Sequence, residues 1–83
     1  MNVSRHGDSR ARERMGIPRK AIYRAAQRAL KDGRTVDDYS GTLGLFLRFK
    51  QRDGTMVRAF NGFAFVFAEE TLVTVIPLPR GFR

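Results

Sequence analysis

Cysteine is missing from the chain, so neither a disulfide framework nor a thiolate metal site can form, and a reducing setting such as the cytoplasm is expected. Histidine occurs once, as His6, and a lone imidazole does not build a metal centre by itself. No stretch reaches the roughly 18 consecutive apolar residues of a membrane-spanning helix. The polar, basic N-terminus is followed by no apolar segment of the kind that marks a secretory leader. The expectation is a soluble, unprocessed protein with no membrane partner. A P-loop, a metal-spaced histidine pair and a Ser/His/Asp pattern are lacking too, which argues against ATP-driven and metal-dependent chemistry. No cofactor is expected.

Acidic residues are scarce: 8 stand against 16 Lys and Arg, a net charge of +8 over 83 residues. A field of that sign attracts polyanions, by counterion release where the partner is nucleic acid. The imbalance is local. Residues 1 to 34 carry ten Lys and Arg against three acids (Asp8, Glu13, Asp32), a net +7, and residues 35 to 83 carry six against five (Asp37, Asp38, Asp53, Glu69, Glu70), a net +1. At 83 residues, 42% hydrophobic and 29% charged, the chain is globular and holds one core. We expect a single basic α+β domain over 1–83, helical over 1–34 and sheet over 43–79, with disorder confined to the termini.

Ser4 is placed to cap a first helix running to about Met15, where Gly16 stops it. The Gly16-Ile17-Pro18 step then breaks and restarts the chain, giving a second helix from about Pro18 to Asp32, with Gly33 as its stop. On that helix Ile22, Ala25, Ala26, Ala29 and Leu30 make an apolar stripe, opposite Lys20, Arg24, Gln27, Arg28 and Lys31. From residue 43 the period changes to two. Leu45, Leu47 and Phe49 alternate with Phe46, Arg48 and Lys50, the pair Asp53-Gly54 signals a turn into Met56–Phe60, and Asn61-Gly62 signals another into Phe63–Ala68. Thr71–Leu78 follows Glu69-Glu70, and Pro77 is tolerable only where its missing amide is not needed. The spacing predicts two N-terminal helices packed on a four-stranded antiparallel meander. Its last two strands are apolar on both faces, and so are either covered on both sides or line a cleft.

Three constellations bear on function. His6, Arg10 and Arg14 follow one another at four-residue spacing, which on a helix aligns them along one face. Arginine can hold a phosphate bidentately, while an imidazole can take or give the proton of a 2′-hydroxyl or a leaving oxygen; the ordinary alternative is three solvated helix residues. The second is the basic run Arg19, Lys20, Arg24, Arg28, Lys31 and Arg34, preceded by Arg10, Arg12 and Arg14. Such runs are usually solvated faces, but like charges at i,i+4 destabilise a helix unless a polyanion screens them, and almost no acids accompany these. The third is a sheet face carrying Arg48, Lys50 and Arg58 beside Phe46 and Phe60. Rings for unstacked bases interleaved with cations for the backbone suit RNA; the competing reading makes the rings core and the cations rim. Thr74 interrupts an apolar strand, where threonine is ordinarily a β-former with a satisfied hydroxyl.

The segments Arg5-His6-Gly7 to Arg10, Arg14-Met-Gly-Ile-Pro-Arg-Lys-Ala21 and Thr71-Leu-Val-Thr-Val-Ile-Pro-Leu-Pro79 resemble small proteins of phages and mobile elements. More distantly, the chain is similar to uncharacterised bacterial domains placed near the RelE/ParE group of toxins. That resemblance implies a RelE-like fold of two helices and a curled four-stranded sheet, and an endoribonuclease ancestry in which cleavage uses the RNA's own 2′-hydroxyl. It sets His6, Arg10 and Arg14 on the family's recurrent positions and Thr74 on its last-strand threonine. The chain departs from RelE-like enzymes in offering few acid/base groups on the sheet beyond Lys50, and in having Phe82 near the end where they carry a tyrosine.

The expected function is nucleic-acid binding, RNA before DNA, with metal-independent endoribonuclease activity as the chemistry. His6 and Lys50 are the candidate catalytic groups, and Arg5, Arg10, Arg14, Lys20, Arg24, Arg28, Arg48 and Arg58 the candidate nucleic-acid contacts. The alternative is a non-catalytic phage accessory or anti-defence protein that occupies the nucleic-acid path of a host complex. An antitoxin-like protein partner or a homodimer fits the doubly apolar strands.

Overall fold

Ser4 sits in extended backbone and its hydroxyl accepts from the Gly7 amide at 2.9 Å, which starts α1 (Arg5–Met15) as expected. Gly16 ends α1 in the left-handed region at φ 66°, a conformation that costs residues with a side chain about 1–2 kcal/mol. Pro18 takes the N-cap of α2 (Arg19–Asp32), and Gly33 follows its last turn. The computed structural model describes residues 1–51 and 54–79. Asp53 of the expected first turn, and Phe82, lie outside them.

The apolar stripe of α2 is real: Ile22, Ala26 and Ala29 are fully buried, with Ala25 and Leu30 flanking them. Together with Ala11 of α1 they pack on one face of the sheet, against Phe65, Phe67, Leu72 and Val75. Small side chains at the contact let α2 lie close to the strands, which suits a domain with little volume to enclose.

The sheet departs from expectation in two ways. Strands β2 (Thr55–Phe60), β3 (Phe63–Ala68) and β4 (Thr71–Pro77) form an antiparallel meander, and Asn61 and Gly62, both at positive φ (52° and 87°), close the first hairpin. The fourth strand is β1 (Asn2–Val3) at the very start of the chain, paired parallel with Thr71 and Leu72. The order is β1-β4-β3-β2, so the sheet is mixed rather than wholly antiparallel. Two residues are too few to show any period, and only the contact with β4 makes them a strand.

The second correction concerns residues 43–50, expected as the first strand of the meander. They lie in a third helix, α3 (Gly41–Lys50), after a 3₁₀ turn over Val36–Asp38. Leu43, Leu45, Phe46, Leu47 and Phe49 satisfy a period of two and a period of 3.6 alike, so helix and strand were both compatible with the pattern. Tertiary demand decides. Val57, Ala59, Ala64 and Val66 line the second face of the sheet, and α3 covers it with Leu47 and half-buried Leu43, joined by Val36 and Leu78. Cover on both faces, read from the Phe-rich strand, is thus met within one chain: β3 is buried at four consecutive positions, Ala64 to Phe67. The architecture is three-layered α+β, with α1 and α2 on one side of the sheet and α3 on the other.

Candidate functional site

The site begins with a glycine. A Cβ on Gly7 would stand 2.3 Å from the Leu72 carbonyl oxygen, so only glycine lets α1 lie this close to β4. Ser4 reinforces the contact, its amide donating to that same oxygen at 2.9 Å. With Gly7 and Ala11 turned into the protein, His6, Arg10 and Arg14 form a row along the edge of β4.

Beyond Leu72 the strand β1 has run out, and the β4 edge is managed by side chains. A register shift at Val66/Phe67 places the Val75 carbonyl on that open edge, where the Arg14 guanidinium donates to it through Nη1. Three residues on, the Leu78 amide donates back to the Gly62 carbonyl at 2.9 Å, so the amide that Pro77 lacks would point to the open side, where no strand needs it.

Between α1, β4 and α3 lies a groove of about 610 Å³ lined by His6, Arg10, Arg14, Phe46, Lys50, Val73, Thr74, Ile76 and Pro77. Three elements distant in sequence thus bring together the His-Arg-Arg row, the last-strand threonine and Lys50, and among the described residues no carboxylate lines the groove. Lys50 and Phe46 are one helical turn apart, and the Lys50 ammonium stands 5.5 Å from the centre of the Phe46 ring. Arg10 has Glu13 at 3.6 Å, but both side chains are well exposed and such a pair holds little energy in water. Arg10 is therefore available to an anion.

The other expected contacts lie elsewhere. Arg5 is exposed at the start of α1 and lines no part of the groove, and Lys20 and Arg24 are exposed on the outer face of α2. Arg28 stacks on Phe60, 5.5 Å from its centroid. Arg48 points away on α3 and pairs with Asp37 at 3.6 Å. Arg58 is half-buried on β2, donating to the Val57 carbonyl at 3.2 Å. The expected face of Phe46, Arg48, Lys50, Arg58 and Phe60 therefore does not exist as one surface: its first three members belong to α3, and Phe60 packs toward the α1/α2 core. Helical geometry separates Arg48 from Lys50 and keeps Phe46 with Lys50.

Beside the cationic groove lies a second cleft of about 570 Å³, almost wholly apolar, running from Ser40 and Thr42 past Leu43 to Pro79. Phe46, Ile76 and Pro77 belong to both clefts. Sequence reasoning missed this cleft and the floor of the groove. The signal for both was Leu43 and Leu47 at i,i+4 after Ser40-Gly41, a helical pair hidden in an apolar run.

Among the described residues no helix is long and apolar enough to cross a membrane, and no group of three or more His, Cys, Asp or Glu is placed to hold a metal ion. The chain matches no protein-family model, no curated protein and no solved structure.

Proposed function

We propose that this chain is an RNA-binding domain, related to RelE-like toxins, that grips the strand in the groove between α1 and α3 and cleaves it without a metal. The observation that carries the reading is the convergence of His6, Arg10, Arg14, Lys50 and Thr74 on one groove from three separate elements, with no acid among its described lining residues. Arg10 and Arg14 hold the phosphate, with guanidinium geometry suited to two of its oxygens. The imidazole of His6 takes the proton of the 2′-hydroxyl, whose oxygen attacks the adjacent phosphorus. The bond to the 5′-oxygen breaks, that oxygen receives a proton from the Lys50 ammonium, and the products are a 2′,3′-cyclic phosphate and a free 5′-hydroxyl. Thr74 lies in the same groove as a neutral hydrogen-bonding group.

The test is incubation of the purified protein with labelled single-stranded RNA, tRNA and ribosome-bound message, with the chelator EDTA present. Cyclic-phosphate ends are expected from the native protein and not from His6→Ala. If all three RNAs stay intact, the enzymatic half of the proposal is lost.

A second reading, a non-catalytic module that occupies the nucleic-acid path of a host complex, draws on the cations outside the groove. Lys20, Arg24 and Lys31 are exposed on α2, a basic surface larger than one cleavage site requires. It predicts binding that falls steeply with salt and survives His6→Ala. Self-association no longer draws support from the Phe-rich strand, since α3 supplies the second cover; it rests instead on Leu45, Phe46 and Phe49 exposed on α3. Light scattering that finds only monomer would dismiss it.

A further inference from the structure

The cationic groove and the apolar cleft are two rooms with a common wall. One is lined by His6, Arg10, Arg14 and Lys50, the other by Leu43, Pro79 and little that is charged, and Phe46, Ile76 and Pro77 separate and join them. A nucleotide has the same division, an anionic phosphodiester joined through a sugar to a flat, largely apolar base. In a duplex that base is stacked and paired, and cannot reach sideways into a cleft; in a single strand it can.

We infer that the apolar cleft bounded by Phe46, Leu43 and Pro79 is a nucleobase subsite, taking one unpaired base of the strand whose phosphate lies on Arg10, Arg14 and Lys50. This rests on the groove being the strand's binding site. Phe46 is 42% exposed and lies at the junction, as a stacking platform must. Leu47 and half-buried Leu43 seat α3 on the sheet without it. Charge contrast selects the occupant's orientation: the phosphate is held where the cations are and the base where they are not. The hydroxyls of Ser40 and Thr42 border the cleft and offer hydrogen bonds to a base edge. The subsite makes the protein a reader of single strands, and its specificity for one base over another resides at that border.

Fluorescence anisotropy with three probes tests the assignment: a single-stranded RNA hexamer, a hexamer of the same charge with abasic positions, and a base-paired RNA hairpin of short loop. The hexamer is expected to bind about ten- to hundredfold more tightly than the abasic strand, the range that base stacking on an aromatic residue supplies. Phe46→Leu, which keeps an apolar side chain on α3, should remove that difference, while Phe46→Tyr should restore it. Arg10→Gln should weaken the hexamer and the abasic strand alike. Equal affinities for hexamer and abasic strand, or a gap that persists in Phe46→Leu, overturn the base subsite alone. If no probe binds, or Arg10→Gln and Lys50→Gln leave every affinity unchanged, the groove itself is not the strand's site and the inference goes with it.

Discussion

Replacing Gly7 with alanine puts a methyl group where the fold has a backbone carbonyl. The added carbon would lie 2.3 Å from the oxygen and 2.9 Å from the carbon of Leu72, and 3.1 Å from the Ser4 hydroxyl oxygen. Neither Leu72 atom belongs to a side chain that can rotate away, so α1 must lift from β4. Overpacking of this kind costs about 1–3 kcal/mol. The shift also strains two hydrogen bonds of 2.9 Å, Ser4 amide to Leu72 oxygen and Gly7 amide to Ser4 hydroxyl, each with a net contribution of about 1 kcal/mol. Against this, alanine in a helix interior gains about 1 kcal/mol over glycine. The balance is a destabilisation of about 2 kcal/mol. For a domain of this size each kcal/mol moves the melting temperature by about 4–8 °C, so thermal unfolding followed by circular dichroism should show a drop of roughly 10 °C. A melting temperature equal to or above that of the native protein would mean that α1 does not press on the strand, and the placement of the His-Arg-Arg row would fall with it.

Leu47→Ala should cost about 2–5 kcal/mol in denaturant unfolding, because Leu47 is 1% exposed beneath α3; a loss below 1 kcal/mol would deny α3 its role as the second cover. Ser4→Ala should cost about 1 kcal/mol by removing the cap of α1, as measured by urea midpoint, and Ser4→Asp should recover most of it. In RNA binding as a function of salt, Lys50→Gln should flatten the log–log slope by about 0.7, one phosphate contact on a single strand. Arg48→Gln, outside the groove and paired with Asp37, should leave that slope unchanged. The reverse ranking of those two variants would point to the wrong face of α3.

The helices at the start of the chain were legible because each of their boundaries has a chemical cause: a serine hydroxyl for one amide, a glycine at positive φ, a proline after the break. The hairpin at Asn61-Gly62 was legible for the same reason. Residues 41–50 were not, since five apolar side chains in ten positions satisfy a period of two and a period of 3.6 alike, and the deciding fact is a bare sheet face assembled from residues 57–66. The candidate site divides along the same line. His6, Arg10 and Arg14 were readable as a helical row, and Thr74 as a polar break in an apolar strand, but their meeting depends on Gly7 approaching Leu72 across the length of the chain. Lys50 joins them for a reason other than the one expected, from a helix rather than from a strand. The two-residue β1 carried no periodic signal and became a strand only by contact.

The bond from Arg14 to the Val75 carbonyl has a thermodynamic corollary. A long cationic side chain ordinarily surrenders about 2 kcal/mol of rotamer freedom when it is immobilised. One that is already tethered to a strand edge gives up that freedom when the domain folds, so a later anion meets a fixed fork. Nη1 is engaged with the protein, while a guanidinium has five N–H groups in all. On the proposed reading, Arg14 would meet an anion already fixed to the strand edge, while Lys50, exposed at the end of α3, would have to be ordered on binding.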